Sequence, residues 1–311
     1  MKNFFLILTM FLICIGLDAE PIKHRFLAID EGKCNLLYVD EYDASKNWIV
    51  QVQNDSPRDM QLIGNNLVLI GHDKGYSEYD ITTGKLVKDV TSFNFVTSAR
   101  RLPNGNTLIT RSYMDKTPGI FVLEVNPKNE VISKVIFPGD YVRLVRHTAK
   151  GTYLLACDKA IIEGDAKGKV LMNAPVEKFS HAWKAVRLSN GNILSSGGYG
   201  PFMVELNPAG KVIRKFGTKE ELPAEVEVNF YATFQLLANG NIVICNWEGH
   251  GDGHGAKGIQ IFELDNAGKI VWKWSDSKII SSMQGVMILD GVDTKVLNDE
   301  RNGIVAPIAV K

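Results

Sequence analysis

The chain has 311 residues, of which 45% are hydrophobic and 23% charged, and its 35 Lys plus Arg balance 35 Asp plus Glu. This composition supplies a globular core. Its zero formal net charge argues against nucleic acid or an anionic membrane as a bulk electrostatic partner.

The chain opens on MKNFFLILTMFLICIGLDAEP. Lys2 supplies a positive start, Phe4 to Leu17 form an apolar run short for a membrane span, and Ala19 offers a small residue for cleavage. Residues 1–19 therefore read as a secretory signal peptide. Residues 20–311 remain as one exported domain, periplasmic or extracellular, with no integral membrane segment. Ile13 before Cys14 argues against lipidation. The remaining cysteines, Cys34, Cys157 and Cys245, are odd in number and widely spaced. They suit neither a disulfide framework nor a cysteine zinc site, and read as small buried hydrophobes.

Beyond the leader the chain repeats itself. MQLIGNNLVLIGHD (Met60–Asp73) is followed by YSEYDITTGKLVKDV, and ARRLPNGNTLIT (Ala99–Thr110) by IFVLEVNPKNEVISKVIF. AVRLSNGNILSSGG (Ala185–Gly198) leads to FMVELNPAGKVIRKFG, and FQLLANGNIVICNW (Phe234–Trp247) to IQIFELDNAGKIVWKW. A fainter copy lies between Tyr141 and Ala174. Each unit reads strand, tight turn, strand, variable loop, strand, tight turn, strand. Asn-Gly is a strong hairpin signal because both turn residues must tolerate positive φ, and the second turns (TTGK, AKGK, PAGK, NAGK) supply glycine for the same purpose. The first-turn glycines Gly64, Gly105, Gly151, Gly191, Gly240 and Gly291 are 40–51 residues apart. Four short apolar strands at that period describe a β-propeller blade. RFLAID, NLLYVDE and WIVQVQ supply three strands of a first blade, and MQGVMILD (Met283–Asp290) completes it from the far end of the chain. The expected fold is an all-β propeller of six four-stranded blades closed by its two ends. Strands in the tail Val292–Lys311 would raise the count to seven.

The motifs LPNGNTLI, ELNPAGKV and AGKIVW resemble those of bacterial propellers of the quinoprotein-like (PQQ-like repeat) and arylsulfotransferase-like kind, over roughly Arg58 to Trp274. The resemblance implies the propeller fold. It does not carry a quinone cofactor, because the adjacent cysteine pair of quinoprotein dehydrogenases is absent and Lys88 stands where the repeat favours tryptophan.

In such a ring the loops between second and third strands share one face with the segments leading into each innermost strand; the tight turns occupy the other. Loops on a rigid scaffold are the usual seat of function. On this long-loop face the sequence places His72, Arg58, Arg100, Arg111 with Asp115 and Lys116, Arg143, His181 with Trp183, Tyr199, Tyr231, Trp247, Gln284 and the stretch GHGDGHG. Within that stretch His250, Asp252 and His254 have side chains that bind zinc, manganese or calcium elsewhere; the other expectation is a glycine-rich loop with solvated histidines. His181 or His250 could act as a general acid or base. The arginines could hold a carboxylate or sulfate by forked hydrogen bonds, and Trp183, Tyr199 and Trp247 could stack on sugar rings. These residues point to an anionic carbohydrate or related small molecule as ligand. A saccharide lyase or hydrolase and a protein-interaction scaffold stand as alternatives.

Overall fold

The computed structural model describes residues 20–114 and 117–310; the segment read as a signal peptide, together with Asp115 and Lys116, lies outside them. The described residues form a six-bladed propeller of four-stranded antiparallel sheets, and none of their helices is long and apolar enough to cross a membrane. Blade 1 takes its innermost strand, Met283–Ile288, from the far end of the chain and its others from Arg25–Asp30, Asn35–Asp40 and Trp48–Gln51. The closing register pairs Phe26 with Ile288 and Ala28 with Val286. Blades 2 to 6 begin with the innermost strands Asp59–Gly64, Val96–Arg101, Val142–His147, Ala185–Arg187 and Tyr231–Leu236. Among the described residues, the tail adds only the pair of short strands Asn298–Asp299 and Ala306–Pro307, so there is no seventh blade.

The turns form where their chemistry demands. Gly105 adopts φ 83° in the first turn of blade 3. In blade 2 the first turn is carried by Asn65 and Asn66, at φ 53° and 57°, while Gly64 ends the strand before it. Both turn residues at positive φ match the turn that fits the twist of a hairpin. At the second turns a side-chain carboxylate or amide accepts backbone N–H groups, as Asp165 does from Lys167 and Lys169 and Asp265 from Ala267 and Lys269.

Apolar clusters fill the spaces between neighbouring blades, for instance Leu154, Ile161, Phe179, Ile193 and Phe202 between blades 4 and 5. Charged groups then fasten one blade to the next. A glutamate on the third strand of blade 2, Glu78, accepts from Arg101 of blade 3 at 2.7 Å. Glu163 of blade 4 pairs with Arg187 of blade 5. At the ring closure the same position, Glu263 of blade 6, meets His24 at 2.7 Å, and Asp290 holds the other imidazole nitrogen at 3.0 Å. Burial works against a charged His24, yet the hydrogen bonds to Glu263 and then Asp290 outweigh it and hold the imidazole above its ordinary 6.5.

The central channel is closed. Near the long-loop face Leu144, Trp183, Ala232 and Met283 belong to one apolar cluster spanning blades 4, 5, 6 and 1. Deeper, Asp59, Arg100, Arg146 and Lys184 from blades 2 to 5 meet Asp299 and Glu300 of the tail, which crosses the tight-turn face. Arg146 grips Asp59 at 2.9 Å and Glu300 at 2.8 Å, Arg100 meets Asp299 at 2.5 Å, and Lys184 pairs with Glu300. Burial alone would raise the Glu300 carboxyl; Lys184, Arg146 and Arg100 overcome it and bring it down to about 2.

Two outcomes follow for stability. Glu300→Ala leaves Lys184 without its carboxylate in a buried site, so denaturant unfolding should show a loss of about 3–5 kcal/mol. That difference from wild type should shrink as pH falls from the ordinary 4.5 towards about 2, where Glu300 takes up its proton. For His24 the sign is opposite. Its folded-state pKa is raised, so its contribution is full below pH 6.5 and lost as pH rises through the folded value. Unfolding of His24→Gln across that range should therefore show its largest deficit on the acid side.

Candidate functional site

On the long-loop face, blades 2, 3 and 4 border an open cavity of about 370 Å³. Arg58, Asp73, Phe95, Thr97, Ser112 and the segment Asp140–Arg143 line it. Arg58 leads into the innermost strand of blade 2, and Arg143 sits at the start of that of blade 4. Each is placed by the backbone, because these strands begin at the channel mouth. Arg143 lies over the rings of Tyr141 at 4.6 Å and Trp183 at 5.2 Å. Such faces attract a cation without neutralising it. Among the described residues Arg143 has no carboxylate within salt-bridge distance, and its Nε makes no hydrogen bond. Arg58 donates only a long 3.4 Å hydrogen bond, to the Val96 carbonyl. Burial, and then the neighbouring Arg143 cation, bring the Arg58 pKa down to about 10. The two guanidinium groups repel each other, with Asp73 opposing at Arg58, and an anion in the cavity would relieve that repulsion.

His181 adjoins this pair. Its ring stacks on Tyr141 with centroids 4.5 Å apart and leans on Tyr199 at 5.6 Å. Its backbone is at φ 58°, in the left-handed region that few non-glycine residues occupy. The Asp158 carboxylate accepts the His181 backbone N–H at 2.8 Å, and Gly198 packs hard against the Ser180 and His181 carbonyls. A Cβ on Gly198 would lie 2.2 Å from the His181 carbonyl, which is why glycine stands there. The imidazole is 40% exposed. Burial and then Arg143 lower its pKa below 6.5 against the pull of Asp158, so it is neutral at physiological pH.

An aromatic floor continues from there. Trp183 and Trp247 both pack edge-on against Phe230 and are nearly inaccessible, so they support the face rather than offer a flat platform. The indole Nε1 of Trp183 nonetheless makes no hydrogen bond, and neither does the buried Oε1 of Gln284. Tyr199, 47% exposed, is the accessible member of the group. Trp247 donates to Glu31 at 3.2 Å, and His250 meets the same carboxylate at 2.9 Å.

Other residues expected at this face go elsewhere. His72 is fully buried inside blade 2, hydrogen-bonded to Ser77 at 3.0 Å and 3.5 Å from Asp89, and burial lowers its pKa. Tyr231 is buried and donates its hydroxyl to the Gly217 carbonyl at 2.6 Å. Arg100 belongs to the channel ion cluster. Arg111 lies within the strand Thr107–Met114, opposite Phe121 and Val96, rather than in a loop. His250, Asp252 and His254 turn to different partners: Glu31 for the first, Lys33 for the second, and Lys257 with the His250 carbonyl for the third. Among the described residues no group of three or more His, Cys, Asp or Glu is arranged to hold a metal. Tyr141 and Phe95 carry no sequence signal that sets them apart, since an aromatic beside a strand usually packs in a core. Neither does Glu248, whose pKa burial and then Glu227 push up to about 8. On the tight-turn side a cavity of about 490 Å³ carries Arg25 and Lys46, but Asp290 and Asp43 already pair with them.

No protein-family model matches the sequence, and no curated protein matches it. Solved structures do. One is a protein of unknown function from Bacteroides caccae, 22% identical, with a TM-score of 0.71 over 86% of this chain and 99% of that one. A streptogramin B lyase is 10% identical with a TM-score of 0.54, covering 84% and 85% of the two chains. A nidogen/laminin complex gives 11% identity and a TM-score of 0.59 over 85% and 97%. These likenesses show the propeller fold.

The electrostatics of the mouth can be read from one nucleus. In NMR titration of His181, Arg143→Ala should raise the imidazole pKa by removing a repelling cation, and Asp158→Asn should lower it. Movement of both in the opposite sense would contradict this arrangement.

Proposed function

We propose that this protein is an exported propeller that binds a small anionic molecule, an acidic sugar of the uronate kind, in the cavity over Arg58 and Arg143. The single observation behind this reading is the pair of adjacent guanidinium groups without a carboxylate partner among the described residues. Partly buried cations are normally paired, and the buried arginines of this chain do have acidic partners: Arg100 with Asp299, Arg146 with Asp59, Arg187 with Glu163. Arg58 and Arg143 instead face a cavity of ligand size. The exposed Tyr199 offers a ring alongside, which suits a sugar. Export rests on the residues 1–19 read as a leader.

A second reading, a lyase acting on such an acid, is favoured by His181. A neutral, half-exposed imidazole stands beside the cations that would neutralise the ligand's carboxylate, and that neutralisation acidifies the neighbouring C–H.

Calorimetry with glucuronate and galacturonate against glucose, at low and high salt, tests the binding reading. The acids should bind, and more weakly in salt, while glucose should not. Arg143→Ala should lose roughly 10- to 100-fold in affinity, as befits a charged hydrogen-bonded contact. Equal binding of glucose, or an Arg143→Ala protein with unchanged affinity, would sink it. An ultraviolet-absorbing unsaturated product, absent in His181→Ala, would establish the lyase.

A further inference from the structure

Phe95 is a further residue of this cavity whose identity the fold does not explain. It lies in the segment leading into the innermost strand of blade 3, at φ 58°. A bulky side chain is an outlier in that region, which glycine occupies without strain and asparagine with little. Burial gives no reason either. Phe93, two residues earlier, belongs to the apolar cluster between blades 2 and 3, whereas Phe95 lies outside that cluster and is 64% exposed. The chain thus holds a large apolar ring in solvent, on a strained backbone, at the rim of the cavity that also contains Arg58, Tyr141 and Arg143.

We propose that Phe95 is a specificity residue that grips a ring, and that the ligand is a carboxylate borne on a ring with an apolar face. The ring packs on Phe95 while the carboxylate meets the arginine pair. The inference rests on reading that pair as an anion site and adds to it the part of the ligand that the arginines do not see. A sugar acid presents such a face through its C–H bonds and an arene acid through its π surface; the shared chemistry is a six-membered ring with one apolar face, carrying one carboxylate.

The test uses the full mature chain, with Phe95→Gly and Phe95→Asn compared with Phe95→Trp and Arg143→Ala. The probes are glucuronate, benzoate and ringless acetate. Phe95→Gly and Phe95→Asn should melt no lower than wild type, because they relieve strain at an exposed position. Their affinity for the ring acids should fall roughly tenfold, the scale of one lost aromatic contact, with acetate unaffected. Phe95→Trp should keep the ring preference. Whichever ring acid shows the Phe95-dependent gain over acetate identifies the source of the ring. A clear fall in melting temperature of the Gly and Asn variants, as for a core phenylalanine, would overturn the proposal, as would ring-acid affinities that do not change. If Arg143→Ala abolishes binding while Phe95→Gly leaves it intact, the anion site stands and the ring grip alone falls. If no acid binds wild type, both fall together.

Discussion

The rest of this molecule hangs on the buried charges at the channel axis. Asp59, Arg100, Arg146, Lys184, Asp299 and Glu300 come from four consecutive blades and the tail, three of each sign, and all are nearly inaccessible. Removing charges from water costs several kcal/mol per ion, recovered only when geometry and extra hydrogen bonds are good. Here they are: Arg146 spans two carboxylates, the Ser98 hydroxyl donates to Asp59 at 2.5 Å, and Lys184 also donates to the Phe234 carbonyl at 2.7 Å. Without the tail the axis would hold three cations against one carboxylate. The two acids at 299 and 300 therefore bind the tail across the tight-turn face and bring the cluster to neutrality. They also cover the axial end of the tight-turn face.

Against this, the cavity arginines stand out by contrast. Arg143 and Arg146 lie on or beside one innermost strand, three residues apart, yet one is wedged between two aromatic rings without a carboxylate and the other is held by two acids. Chemistry is the same in both; environment differs. The paired arginine holds the scaffold together, and the unpaired one is charge left available at a mouth fixed by that scaffold. The neutral His181 follows from the same arrangement, since burial and then Arg143 disfavour its protonation.

The architecture was legible because its signals are local. Asn-Gly and Gly-Lys turns, short apolar runs and a regular period need no knowledge of what packs on what, and they yielded six blades and the closing strand Met283–Ile288. The site was legible only in outline. Inner strands carry register shifts near the long-loop face, between Val96 and Ser98, Val142 and Val145, and Tyr231 and Phe234. Such a bulge moves one residue out of alternation and re-aims those around it. This is how Tyr231 turns into the core, and why simple alternation could not tell the exposed neighbours of Arg143 from buried ones. His72 sank into blade 2 because Ser77 across the hairpin and Asp89 on the outermost strand lie close by in the fold. The pairing of Arg100 with Asp299 joins residues 199 positions apart, beyond the reach of any motif.

Backbone strain is distributed in a way that the fold alone does not require. Among the described residues nine non-glycine positions have positive φ. The three asparagines, Asn65, Asn66 and Asn129, are in tight turns, where that side chain is tolerated. The other six are Cys34, Ser56, Phe95, Lys178, His181 and Glu227, of which only histidine is a type enriched in this region. All six lie between second and third strands or just before an innermost strand, which is to say on the long-loop face. Tight turns are as numerous on the other side, so turn count does not explain the asymmetry. A chain free to relax would place glycine or asparagine at such positions, as this one does wherever only a turn is needed. Retaining phenylalanine and histidine there keeps those side chains at the mouth at a cost in stability, the pattern expected where side-chain identity serves a ligand rather than the fold.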